Sequence, residues 1–146
     1  MNLDTYNIKS DPDQEVFEFE SIGPKGTIVK LVVYKETSFN GIYNLGFGDL
    51  DLETGEVDDI IVSDNGDGEI VLSTVVSTIH IFFDKHPKAQ VYLSGSTKSR
   101  TRLYRIAINK YFELFLSKFE IMGELETHFE RFTKNREYQG YLIKLK

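Results

Sequence analysis

The chain of 146 residues contains no cysteine and no tryptophan. Without cysteine there is no disulfide framework, no thiolate metal site and no cysteine nucleophile. No apolar run approaches the roughly 18 residues that a membrane-spanning helix needs. The first stretch, 1–15, carries acids and lacks an apolar centre, which predicts no signal peptide and a cytoplasmic protein with no membrane partner. An excess of positive charge is missing as well. The 17 Lys and Arg stand against 23 Asp and Glu, a formal charge of −6, which opposes indiscriminate coating of DNA. Hydrophobic residues make up 40% of the chain and charged ones 27%, so wholesale disorder is excluded. The length suits a single domain over 1–146.

The hydropathy pattern changes period once. Residues 1–14 are polar and Asp-rich around Pro12, which predicts a loose N-terminal arm. Alternation over 15–21 puts Phe17 and Phe19 on one face and Glu18 and Glu20 on the other, the mark of a strand. Residues 27–35 are apolar on both faces apart from Lys30, as a central strand would be. Strands are also expected over 42–52 and 57–62, joined by a hairpin turn at 53–56. Near residue 69 the period lengthens. Leu72, Val75, Val76, Ile79, Phe82 and Phe83 share one sector at 100° per residue, which predicts a helix with Asp67 as N-cap and His86-Pro87 as its stop. A short strand over 89–94, a second helix over 99–118 and strands over 119–125 and 138–145 follow. The polar stretch between those last two strands could form one or two turns of helix. The expected fold is α+β: a mainly antiparallel sheet, with an N-terminal four-stranded meander, two helices packed on one face and the order ββββαβαββ. Leu72, Val76, Ile79, Phe83, Tyr104, Ile108, Tyr111 and Phe115 are expected in the core.

The chemically unusual segment lies where the short strand meets the second helix. Lys98, Arg100, Arg102, Arg105 and Lys110 fall within 97–110 without one acid, leaving the other 132 residues with 12 basic and 23 acidic groups. Cations at a helix N-terminus face its positive dipole end at a cost of ~0.3–1 kcal/mol each. Ser96, Thr97 and Ser99 place hydroxyls around the same turn. Free backbone N–H groups, hydroxyls and guanidinium groups together are what a phosphate needs. Ser96, Thr97, Lys98, Ser99, Arg100, Arg102 and Arg105 are therefore the candidate anion-binding residues. Lys98, Arg102, Arg105 and Asn109 form one polar stripe, while Arg100 projects towards the buried side, where it would need an acid or a ligand. The blander reading is a solvated basic face. The spacing matches neither a Walker A loop nor a GxGxxG turn.

Other constellations carry less. The segment 63–74 resembles a calcium loop in its Asp-Asn-Gly-Asp run, but Ser63 and Thr74 stand where the end positions need acids, so calcium is rejected. Asp49, Asp51, Asp58, Asp59, Asp64 and Asp67 could gather round a divalent cation, although strand edges and turns explain them more simply. His80, His86 and His128 lack metal-ligand spacing. No metal site and no cofactor are assigned.

The runs Gly46-Phe47-Gly48-Asp49, Asp64-Asn65-Gly66-Asp67, Val71-Leu72-Ser73-Thr74-Val75 and Gly95-Ser96-Thr97-Lys98-Ser99-Arg100-Thr101-Arg102-Leu103-Tyr104 resemble a small uncharacterised bacterial family, a domain of unknown function. The similarity spans about 17–145. It implies a single-domain cytoplasmic protein and brings no activity and no catalytic residue. The leading expectation is a module that binds a phosphate-containing ligand or nucleic acid through the basic turn at 95–105. One alternative is a metal-dependent nuclease or phosphate-transfer enzyme, with the arginines as a clamp and aspartates as base or metal ligands. Another is a protein–protein interaction domain. The sequence leaves open whether the protein is an enzyme.

Overall fold

The structure is a computed structural model that describes residues 4–58, 65–94 and 98–146; the side chains of 57, 58 and 98–100 fall outside the description. In chain order the strands and helices are β1 (Lys9–Ser10), β2 (Val16–Gly23), β3 (Gly26–Glu36), β4 (Ile42–Leu50), β5 (Val57–Asp58), α1 (Gly68–Lys85), β6 (Gln90–Leu93), α2 (Lys98–Lys110), α3 (Phe112–Lys118), β7 (Phe119–Glu124), β8 (Phe129–Arg131) and β9 (Gly140–Leu145). The fold is mixed α+β. Its ladder runs β1-β2-β3-β4-β6-β9-β7-β8, with β5 on β4. The chain forms two compact units: Met1–Tyr34 with Gly46–His86, and Lys35–Leu45 with Pro87–Lys146.

In the first unit the β2 alternation holds as expected. Phe17, Phe19 and Ser21 are buried and oppose Val32, Lys30 and Ile28 of β3 across an antiparallel register. The helix α1 covers this face, and Tyr34 stacks on Phe82 with ring centroids 4.3 Å apart. Stacking of this kind adds roughly 0.5–1.5 kcal/mol beyond the area buried. Tyr34 Oη and Thr78 Oγ1 share a hydrogen bond of 2.8 Å in the same interior. The buried arc of α1 is broader than the predicted stripe and includes Ser73, Thr74 and Thr78. Leu72 is only half-buried.

The stretch expected to be a loose arm is held from Asp4 onward. Ser73 Oγ donates to Asp4 O, Tyr6 N donates to Thr74 Oγ1 at 3.0 Å, and β1 pairs with Glu18 and Phe17. Short polar side chains on α1 make these anchors, and hydropathy periodicity does not register them.

In the second unit β4 starts parallel to β6, and β6, β9, β7 and β8 continue antiparallel. That parallel pair is an exception in a mostly antiparallel sheet, because a chain that leaves β4 and returns through α1 comes back in the same direction. The expected meander strands are neighbours as β2-β3-β4 with β5 on β4, and the order departs from the expected one through β1 and β8. Leu93, Tyr141, Ile121 and Ile143 are buried together with Tyr104, Ile108 and Phe115 of the helices. The single helix expected over 99–118 is two, which makes three helices among the described residues. Tyr111, at φ −105° and ψ 23°, kinks the chain while Tyr111 N and Phe115 N keep their bonds to Ala107 O and Tyr111 O. The kink sets Phe112 against Phe132 and Phe115 against Phe119, at 5.3 and 5.9 Å between ring centroids. Tyr111 itself is half-buried. The polar stretch expected to allow helical turns holds β8 instead, whose Phe129 and Arg131 oppose Glu124 and Met122.

Candidate anion site

The helix α2 follows β6 and carries Lys, Ser, Arg, Thr and Arg over 98–102, with no acid in its first turn. Ser96 and Thr97 lie outside the described residues, and the side chains of Lys98, Ser99 and Arg100 are not described. Arg102 is exposed, and among the described residues no carboxylate pairs with it. Arg105 is different. Its Nη1 donates to Glu137 Oε1 at 2.8 Å, joining a 26% exposed guanidinium to an 86% exposed carboxylate. Asn109 Oδ1 accepts from Asn135 N at 3.1 Å. The predicted stripe is therefore split: its C-terminal half holds the 133–137 turn, and Arg102 at its start faces solvent.

Beneath this helix lies a feature that the sequence reading missed. Tyr141 is fully buried, and its hydroxyl has no hydrogen-bond partner among the described residues. Burial pushes the phenol up to about 12, and the nearby Arg105 guanidinium offsets part of that rise. A buried hydroxyl without a partner costs about 1–3 kcal/mol, so native structures contain few. At the exit of β6, Tyr92 Oη donates to Glu124 Oε1 and is hydrogen-bonded by the Ser94 hydroxyl. Gly140 makes room for that pair, since a Cβ there would sit 2.8 Å from Glu124 Oε1 and 3.0 Å from Tyr92 Oη.

The acids proposed for a metal-bound alternative do other work where they are described. Asp49 pairs with the fully buried Lys30 at 2.5 Å. Asp51 Oδ1 accepts from Glu53 N at 2.9 Å. Asp67 stands at the N-cap position of α1 but caps nothing with its side chain; it accepts from Tyr6 Oη at 2.6 Å and Ser21 Oγ at 2.5 Å. Burial alone would raise the Asp67 carboxyl, and the bonds from Ser21 and Tyr6 outweigh it, leaving the group below its ordinary value. Asn65 is buried too, accepting from Lys25 N at 2.7 Å and donating to Gly26 O at 2.9 Å. The run that resembled a calcium loop thus pins the β2–β3 hairpin. Asp59 and Asp64 lie outside the described residues, as does the Asp58 side chain. Among the described residues no three metal-ligating side chains come together.

The sequence profile of a family of unknown function (DUF6934) matches residues 2–146. The chain belongs to this family. Neither the curated proteins nor the solved structures contain a match. Family membership carries no activity with it, so geometry and charge must supply the functional reading. Charge is informative here. The first unit holds 16 acidic against 4 basic residues, or −12, and the second 7 against 13, or +6. The basic island predicted from sequence thus belongs to a unit that is basic as a whole. No described helix is long and apolar enough to cross a membrane.

Proposed function

We propose that the protein is an anion-binding module that recognises a phosphate-bearing ligand or a nucleic-acid backbone through the N-terminal half of α2. The observation that carries this reading is Arg102: an exposed guanidinium in the first turns of a helix that has no acid in its first turn. The positive end of the helix dipole and the local cations are then uncompensated by neighbouring sequence, and an anion relieves both. The +6 charge of the second unit supports the reading, because a concentrated positive field raises the association rate of anionic ligands.

The test is fluorescence anisotropy with a labelled short oligonucleotide, with inorganic phosphate as competitor, on the wild type and Arg102→Ala. The wild type should bind, and its affinity should fall steeply as salt rises. Arg102→Ala should weaken binding by about tenfold, in line with the roughly 1.5–3 kcal/mol of a charge-assisted hydrogen bond, with an unchanged melting temperature. Equal and negligible binding by both proteins would reduce the basic island to a solvated helix face.

A further inference from the structure

We propose that the face of β6, β9, β7 and β8 turned away from α3 binds the bases of a single-stranded nucleic acid, with guanine preferred. The proposal rests on the reading of a nucleic-acid backbone at α2 and names the ligand class which that reading leaves open. The register separates the two faces of these strands. Phe119, Ile121, Tyr141 and Ile143 are buried on one of them, where Phe115 of α3 meets Phe119 at 5.9 Å between ring centroids. On the other face Tyr92, Leu142, Met122 and Arg131 oppose one another in a single row across all four strands. In the neighbouring row Glu124 stands between Gly140 and Phe129. Tyr92, Leu142, Met122 and Glu124 are half-buried, Arg131 is exposed and Phe129 is 41% exposed.

Gly140 shapes this surface. Tyr92 pairs directly with Leu142, yet its Oη donates to Glu124 Oε1. A Cβ on Gly140 would sit 3.0 Å from that Oη and 2.8 Å from that carboxylate oxygen. The phenol ring therefore spans the diagonal step of about 7–8 Å from β6 to β9 and lies along the sheet instead of standing up from it. A ring laid flat on a half-exposed surface is a stacking platform, and Phe129 supplies a second one beyond Glu124. Bases of a single strand have free faces to set on such rings, whereas those of a duplex do not.

Glu124 selects the base. One of its oxygens accepts from Tyr92, and among the described residues no cation pairs with the carboxylate. An ionised carboxylate only accepts. Guanine alone presents two adjacent donors, N1–H and N2–H, on its pairing edge. Adenine and cytosine place a ring-nitrogen lone pair beside their amino group, and uracil flanks its N3–H with two carbonyls. Charge favours a nucleic acid over an uncharged aromatic ligand. Arg131 has no carboxylate partner among the described residues, and its unit carries +6. Lys144 and Glu120, further along the same face, offset each other at 3.3 Å. Ser94, whose hydroxyl bonds Tyr92, follows β6, and α2 opens at Lys98. The Tyr92 platform thus lies at the end of β6 that leads into the anion site.

The experiment measures anisotropy of the full chain with three fluorescein-labelled RNA octamers: uridines with two guanosines, uridines with two cytidines, and the first paired with its complement. The guanosine octamer should bind tightest, the cytidine octamer about tenfold more weakly and the duplex more weakly still. Phe129→Ala, at an exposed position, should keep its melting temperature and lose about tenfold in affinity for both single strands. Glu124→Gln, whose amide oxygen still accepts from Tyr92, should bind both single strands alike. Amide shifts in ¹⁵N spectra should extend from 98–105 to Tyr92, Glu124, Phe129 and Arg131. Equal binding of the guanosine octamer and the duplex would overturn the proposal. So would wild-type affinity and preference in both variants while Arg102→Ala loses binding, a result that leaves the anion site standing. Absence of all oligonucleotide binding, with inorganic phosphate still shifting amides over 98–105, overturns this proposal alone; no shift with either ligand overturns both readings.

Discussion

Replacing Tyr141 by Phe should make the unliganded protein more stable. Most deletions of a buried tyrosine hydroxyl remove a hydrogen bond and destabilise by about 1 kcal/mol. Tyr141 is fully buried with its hydroxyl unpartnered among the described residues, so phenylalanine removes a desolvated dipole and leaves the ring packing against Phe132 and Tyr138 in place. The expected gain is about 1 kcal/mol. For a chain of 146 residues the unfolding entropy is roughly 300 cal/mol/K, so the melting temperature should rise by about 3 °C. The pH dependence has a fixed sign. The phenol is raised from its ordinary 10.0 to about 12 in the folded state, so the native protein retains a proton that the unfolded chain loses. Stability should fall as pH climbs from about 10 to about 12, and Tyr141→Phe should remove that part of the fall. Calorimetry at neutral pH and chemical denaturation across the alkaline window measure both effects. A loss of 1 kcal/mol or more at neutral pH would refute the reasoning, because it would mean that the hydroxyl is hydrogen-bonded.

Two further outcomes concern the interior. Asp49→Ala removes the carboxylate now 2.5 Å from the buried Lys30 ammonium and should destabilise by about 3 kcal/mol in urea unfolding, whereas a Lys30→Met/Asp49→Leu replacement should come closer to wild type. Gly123→Ala would set a Cβ 2.3 Å from the Tyr138 ring. That ring is held by Tyr138 Oη donating to Glu130 at 2.8 Å and accepting from Thr133 N at 3.0 Å, so it cannot step aside freely. A destabilisation of about 1–3 kcal/mol is expected, and a neutral effect would show that the ring moves.

Strand and helix positions were largely legible because burial imposes a period. Phe17 and Phe19 against Glu18 and Glu20 marked β2, and Val76, Ile79 and Phe83 marked α1. What stayed hidden depends on partners remote in the chain. The kink at Tyr111 follows from Phe112 and Phe115 finding separate aromatic partners, Phe132 and Phe119. The parallel pairing of β4 with β6 is a matter of topology, which local alternation does not encode. At the candidate site the cation cluster was visible in composition, but its division was not. Glu137 lies 32 residues beyond Arg105 and engages it, while Arg102 stays exposed. Lys30 was conspicuous as a charge in the middle of an apolar strand, yet only the fold shows Asp49 beside it. The separation of charge into −12 and +6 was masked because each unit is assembled from two stretches of sequence.

The central claim, that α2 presents an anion site, is tested most directly by a ¹⁵N-detected titration of the full chain with a short oligonucleotide at low salt. Binding at this site predicts saturable amide shifts concentrated at 98–105, reversed by added salt and largely lost in Arg102→Ala, with 16–36 unmoved. Shifts that fail to saturate, or that centre on the acidic unit, would contradict it.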